Sequence, residues 1–564
     1  MQNISDGMLS LAVKRWEDAR DLLASTLTSY LNSCISMEAV SYPGYGLASS
    51  KDVASRIEST LDSLQRDMAR QLSQSASTLA QTRNRLVSSI WRLPENVLSE
   101  IFLHVVYAPE HKCLAMEKCV QAMYSNLHNL MGVCSIWRTI ALTQGVFWET
   151  IPACDQRTKY LAIELSLQRS GERGLRLATI LPKTLGSAPS QLVKIVKDHT
   201  NRLRALNMNG EYLGTISDML KHLLEDGVPS QLSELSIRFA PNNFFPSEQT
   251  TPFVIHSKSR NQATFISLMA SLSALRLSGV QIQWENMIFS DRLVELSVHG
   301  VKLGDSDSAI STFLSAISSA IELRDLKVMD VRADHNYEET TSLAIFPKVM
   351  LPKLQSLLLH DLRFNVLQFL LHIITPSSYH VTLGLTGNAV KVVYPSHMYD
   401  IIGIDDLTKL LKRFKVDKLL VHKGLSLSNP WLDGCGFRKL LHSIPGVKEL
   451  DMSGWTFDAD FCNSVCKGSI SNIERGASVF SKLEVLELTQ AWIPDEAAFK
   501  TFMANVSTQK MVLGGFIGQE ENYQELKKGE GLVTWLADRV PKLYLVDPVG
   551  YLPVWMRAEE WRLW

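Results

Sequence analysis

A hexapeptide, Leu-x-x-Leu-x-apolar, recurs from about residue 200 onward in this 564-residue chain and constrains its fold more than any other feature. It reads LRALNM at 203–208, LSELSI at 232–237, LSALRL at 272–277, LVELSV at 293–298, LRDLKV at 323–328 and LQSLLL at 354–359. It returns as VDKLLV at 416–421, VKELDM at 447–452, LEVLEL at 483–488 and VPKLYL at 540–545. Most successive copies start 21 to 40 residues apart, and the intervening sequence has helical periodicity, as in 308–322 and 495–506. Apolar pairs follow several copies at fixed offsets: Val280 and Ile282, Val301 and Leu303, Leu362 and Phe364, Trp455 and Phe457. A short strand plus one helix cannot bury its own apolar side, but stacked copies share one continuous core. Between 360 and 415 only YHVTLGL (379–385) reads as a weak strand.

At this length the chain exceeds one hydrophobic core. With 46% apolar and 20% charged residues, most of it folds. A formal net charge of −1 argues against a bulk electrostatic grip on nucleic acid or an anionic membrane. No apolar run approaches a membrane span, and residues 1–18 lack a secretory pattern. Eight scattered cysteines form no CxxC pair, so buried reduced thiols are expected, and with them the cytoplasm or nucleus. Cys462 and Cys466 share one helix face without further ligands at zinc spacing. Upstream, 8–36 carries Leu9, Ala12, Trp16, Ala19, Leu22 and Leu23 at helical spacing. The stretch 41–52 reads as a loop. A second helix over 51–88 places Ile57, Leu61, Leu64 and Met68 on a short seam. An intramolecular antiparallel hairpin is expected, with a dimer as the alternative; a monomer is favoured.

The repeat region resembles leucine-rich repeats. It departs from them where an Asn or Cys normally bonds the turning backbone: that position holds Val280, Val301, Val331, Leu362 or Trp455. Ahead of it, IWRLPENVLSEIFLHVV (90–106) and LMGVCSIWRTIALTQGVFWETI (130–151) resemble an F-box, in the form found in basidiomycete fungi. Leu93 and Pro94 match its opening, and Val97, Leu98, Ile101 and Phe102 its apolar stripe. Val133, Cys134 and Trp137 match the Val-Cys-x-x-Trp core, with Ile140 beyond it and Trp148 closing the motif. Residues 107–126 lengthen the link between the two halves. The resemblance implies a helical bundle that docks a Skp-type adaptor, these eleven residues packing the adaptor interface or the bundle that supports it. A cullin would follow through the adaptor, and the repeats would hold an unknown target protein.

The expected fold is therefore α/β. A helical hairpin (1–88) and an F-box bundle (89–152) precede an irregular solenoid of short parallel strands and helices (153–564), closed by a Trp-rich cap at Trp555, Trp561 and Trp564. A docking motif is the alternative for those tryptophans. The expected function is a target-recognition subunit of an SCF-type ubiquitin ligase; the alternative is an interaction scaffold with a degenerate box. No phosphate-binding loop, nucleophile elbow or HExxH appears, so no catalysis, cofactor or metal is expected. Strand alternation turns Arg238, Arg276, Ser297, His299, Lys327, Met329, His360, His422, Asp451 and Glu487 away from the core, as candidate target contacts. Basic members lie early and acidic ones late, which suits a target of complementary charge; a merely solvated face is the alternative. His299, His360 and His422 follow strand ends in register, but their repeats are not consecutive, which disfavours a shared metal.

Overall fold

A computed structural model of the chain describes residues 2–40, 47–87, 90, 93–108, 114–154, 161–182, 188–241, 251–335, 346–376, 378–396, 398–423, 431–466, 483–519, 522–529, 531–548 and 561–563. It divides into two units, 1–93 and 94–564. In the first, helix α1 (Gln2–Val40) and helix α2 (Leu47–Val87) are both present. Residues 47–52 of the expected loop are helical; 41–46 lie outside the described residues. The expected hairpin seam is not buried: Trp16, Leu22, Leu23, Ile57 and Leu61 are all exposed. Two heptads of apolar residues offer too little burial to hold helices about 60 Å long together. Among the described residues no helix is long and apolar enough to cross a membrane.

The second unit opens with three packed helices, α3 (Glu95–Val106), α4 (Met116–Val133) and α5 (Ser135–Thr143). Pro94 precedes the first turn of α3, where a missing N–H costs nothing. Half of the lengthened link is helix, not spare loop: Met116, Cys119, Val120 and Met123 of α4 are buried.

The sheet then begins with β1 (Thr150–Ala153), which spans the expected boundary at 152/153. The chain continues through β2 (Leu175–Ile180), β3 (Leu203–Gly210), β4 (Glu234–Phe239), β5 (Ala274–Ser278), β6 (Glu295–His299), β7 (Lys302–Gly304), β8 (Asp325–Met329), β9 (Arg332–Ala333) and β10 (Ser356–His360). There follow β11 (His380–Leu385), β12 (Lys391–Val393), β13 (Tyr399–Ile401), β14 (Lys418–His422), β15 (Glu449–Ser453), β16 (Val485–Ile493), β17 (Lys510–Ile517), β18 (Gln524–Glu525) and β19 (Lys542–Leu545). Fifteen of these form one sheet, ordered β1-β2-β3-β4-β5-β6-β8-β10-β11-β14-β15-β16-β17-β18, with β19 also on β17. All its pairings are parallel except β17–β18. The weak candidate at 379–385 is a full member, β11. β7 with β9, and β12 with β13, make two small separate sheets.

Every hexapeptide falls on a strand of this sheet, so the repeat region is a leucine-rich-repeat-like solenoid. Its first Leu or Val mostly sits ahead of the strand and anchors it, as Leu232, Leu272, Leu293 and Leu323 do, all buried. The inward residues of the strands share one core with the helices between them, such as Asp307–Ser318 and Glu496–Ala504. The helices of the shared core lie on one face of the sheet, and the opposite face is helix-free among the described residues.

The missing Asn ladder is replaced by backbone. One residue past each of several strands the chain turns through positive φ: Gly279 (66°), Gly300 (62°), Asp330 (45°), Asp361 (51°) and Gly454 (71°). Each of these amides donates to the next strand: to His299 O at 2.9 Å, Met329 O at 3.0 Å, His360 O at 2.9 Å, Gly384 O at 3.0 Å and Thr489 O at 2.9 Å. Indoles serve further carbonyls: Trp455 Nε1 donates to Val421 O at 2.8 Å and Trp431 Nε1 to His422 O at 2.7 Å. The turning groups are thereby satisfied without a side-chain ladder.

Gly279 is the least replaceable of these turns, because a Cβ there would lie 2.2 Å from Phe239 O. Gly279→Ala is expected to lower unfolding free energy by about 2 kcal/mol or more, read by chemical denaturation. Gly454→Ala, which meets no neighbour within 4 Å, carries only the strain of its φ and is expected to cost about 1 kcal/mol.

Candidate protein-interaction surfaces

The motif residues of the first bundle divide by burial. Leu98, Phe102, Ile140 and Trp148 are interior. The Phe102 ring packs 4.7 Å from that of half-buried Trp137, and Trp148 Nε1 donates to Ala141 O at 2.8 Å. Cys134 caps α5: its sulfur accepts from Trp137 N at 3.5 Å, which accounts locally for the Cys-x-x-Trp spacing. Leu93, Pro94, Val97, Ile101 and Val133 are exposed, as are Val105 and Ile136, which the sequence did not single out. On α3 the division is sharp: Val97 is 38% and Ile101 37% exposed, and Phe102 is 0%. Val97, Ile101 and Val105, four apart, make an apolar stripe on the side of α3 away from its core.

All ten residues named on the strands lie on the helix-free face, in three rungs. One rung runs Asn207, Ser236, Arg276, Ser297, Lys327 across β3 to β8. The next runs Arg238, Ser278, His299, Met329, His360, Gly384, Leu420, Asp451, Glu487 across β4 to β16. His422 is not in register with the other two histidines; it stands two residues beyond Leu420 on β14. His360 nevertheless reaches it over the bare backbone of Gly384, the two rings lying 5.6 Å apart. His299 instead pairs through Nδ1 with Ser278 Oγ at 3.1 Å. Among the described residues no three His, Cys, Asp or Glu side chains are grouped to hold a metal.

Two of the basic candidates, Arg276 and Lys327, are paired with carboxylates of neighbouring strands. Arg276 forks onto Glu295, with Nε–Oε1 at 3.0 Å and Nη2–Oε2 at 2.5 Å, and lies 3.6 Å from Glu234. Lys327 approaches Glu295 at 3.3 Å, Arg176 bonds Glu234 at 3.0 Å, and in the later repeats Lys418 bonds Glu449 at 2.9 Å. Glu234 and Glu295 were missed because their role lies in cross-strand register, which is not written in linear spacing. Asp451 and Glu487, adjacent across β15 and β16, are buried rather than solvated.

Asn207 was also missed. Its side chain is fully buried on the helix-free face, and its partners are residues 561–563. Nδ2 donates to Arg562 O at 2.9 Å and to Leu563 O, while Oδ1 accepts from Trp561 Nε1. Trp561 thus has a partner more than three hundred residues upstream; Trp555 and Trp564 lie outside the described residues.

A cavity of about 1070 Å³ opens beyond the ends of β15 to β17, lined in part by Trp455, Trp492, Phe516 and Tyr523. Of its three carboxylates, Asp433, Asp458 and Asp460, the first two cap helices, accepting from Gly436 N and Phe461 N, each at 2.7 Å. Of the cysteines, Cys119, Cys154 and Cys462 are buried, Cys34 is exposed and Cys113 lies outside the described residues. Burial pushes the Cys462 thiol up to about 12.

No known protein family matches this chain, and no curated protein does. Among solved structures, the leucine-rich repeat-containing protein LegL7 from Legionella pneumophila is 12% identical, covers 70% of this chain and 97% of its own, and superposes at a TM-score of 0.30. The LRR protein LIC12759 of Leptospira interrogans is also 12% identical, over 70% of this chain and 82% of that one, at 0.25. The internalin inlF from Listeria monocytogenes is 10% identical, over 76% and 94%, at 0.24. Likenesses this distant carry no argument; the repeat reading rests on the strand register above.

The three histidines of this face, His360 and His422 buried and His299 half-buried, make stability depend on pH. Burial, aided by Arg238 and His360, holds His299 down at about 4. Burial also lowers His360, and lowers His422 well below its ordinary value. All three are neutral in the fold at pH 7 and take up a proton near pH 6.5 only when unfolded. Their contribution is complete above pH 6.5 and is lost as pH falls through their lowered folded values, about 4 for His299. In His299→Gln the drop in unfolding free energy between pH 7 and pH 5 is expected to shrink by about 2 kcal/mol. An unchanged drop would contradict the assignment.

Proposed function

We propose that this chain is the target-recognition subunit of an SCF-type cullin–RING ubiquitin ligase, acting in the cytoplasm or nucleus. The single observation that carries the reading is the apolar stripe on α3. Val97 and Ile101 belong to the F-box-like motif, yet they face solvent, while Leu98 and Phe102 of the same motif build the interior. An exposed apolar helix face beside a rigid aromatic core suits a stable docking surface. In this reading Leu93, Pro94, Val97, Ile101 and Val133 contact a Skp-type adaptor. Leu98, Phe102, Cys134, Trp137, Ile140 and Trp148 shape the bundle that presents them. The helix-free face of the solenoid then holds the target, at residues such as Arg238, His299, Met329, His360 and Glu487.

The mechanism is proximity. A target held on the array sits at raised effective concentration beside a ubiquitin-charged enzyme carried by the cullin. The array supplies binding, and the chemistry belongs to its partners.

Co-expression with a Skp-type adaptor tests the reading. The unaltered chain is expected to co-purify with the adaptor, and Val97→Asp with Ile101→Asp to lose it while the melting temperature stays within about 2 °C, since surface changes cost little stability. Phe102→Ala is expected instead to lower stability by about 3–5 kcal/mol. A folded chain that captures no adaptor sinks the proposal.

A further inference from the structure

Around Asn207 the helix-free face is closed to water: Ala178, Ala205 and Asn207 are each 0% exposed and Ser236 is buried. Alternation puts all four on the side opposite core residues Leu177, Leu206, Met208 and Leu235. Residues 561–563 lie on this seat, with Leu563 itself buried. Small side chains let a main chain approach the sheet closely. The one larger polar group among them, the Asn207 amide, meets that main chain with donors for two successive carbonyls and an acceptor for one indole N–H. Two of these contacts read backbone only, while the indole bond and the buried Leu563 read side chains.

The same segment reaches the bundle. Helix α4 has no side-chain cap, and its first amide, Met116 N, donates to Trp561 O at 2.7 Å. An orphan donor at a helix start needs some such partner. The segment therefore satisfies α4 on one side and β3 on the other.

We propose that the Asn207 seat is a peptide-recognition site for an extended Trp-x-Leu segment, and that residues 561–563 occupy it in cis as an internal competitor. A target that binds here presents the same chemistry, an indole N–H followed two residues later by an apolar side chain, and must displace Trp561. This rests on the reading of the helix-free face as the target surface and is independent of adaptor docking.

The probe is a fluorescent synthetic peptide of residues 556–564, MRAEEWRLW, titrated into the full chain and followed by anisotropy. The unaltered chain, its seat filled, is expected to bind it at least tenfold more weakly than a full chain carrying Trp561→Ala and Leu563→Ala. Adding Asn207→Leu to that variant is expected to abolish binding. Equal binding by the unaltered and Trp561→Ala/Leu563→Ala chains overturns the competitor, and binding that survives Asn207→Leu overturns the seat. If the altered chains do not melt cooperatively, hydrogen exchange on the unaltered chain decides. Excess unlabelled peptide must speed exchange of the 561–563 amides while Met116 N–H stays protected by the incoming carbonyl, and no change overturns the proposal. Loss of peptide binding with adaptor capture intact strikes only the seat; the converse result strikes only the ligase reading.

Discussion

The molecule depends on one run of backbone hydrogen bonds. Parallel strands from β1 to β17 exchange main-chain bonds, and at several strand ends the run continues one residue further, through amides held at positive φ. Without those turns each strand would end in unsatisfied groups beside the core, at a cost of roughly 1–3 kcal/mol apiece. The leucines supply most of the burial, but they are effective only because the backbone keeps every copy in register. A shift of one residue would turn Leu296 and Val298 outward and Glu295, Ser297 and His299 into the core.

That register also makes the helix-free face. It lines up Arg276 with Ser297 and Lys327, and brings Glu295 within reach of both basic residues. These charges neutralise one another, and beside them the face offers shape, buried polar groups and neutral histidines. Recognition on such a surface depends on geometry more than on net charge. The bundle is tied to it twice: by β1, which follows α5 and pairs with β2, and by residues 561–563, which bond α4 and β3 together.

Much of this could be read from the sequence, for a definite reason. The hexapeptides mark strands because a strand buried on one face must repeat its apolar residues every second position, and that pattern is local. β1, β2 and β17 carry no hexapeptide and went unread, although β17 holds Met511 and Leu513 in the same core. For the two N-terminal helices, periodicity reports that a helix has an apolar side, not what covers it; Trp16 and Leu61 are exposed. The histidines were placed in one line from their position after each hexapeptide, but β14 pairs so that His422 stands two residues beyond the rung of His360.

By itself, then, the sequence determined the stacked strand–helix architecture, the helices on either side of the motif core, and which residues turn away from the core. These follow from periods of two and of about 3.6, which neighbouring residues carry. The tertiary structure alone decided that Arg276 and Lys327 are neutralised by Glu295, that Asp451 is buried, and that Asn207 meets Trp561. Each of these joins residues from different strands or from distant parts of the chain. Such pairings are set by register and chain path, which no local pattern encodes.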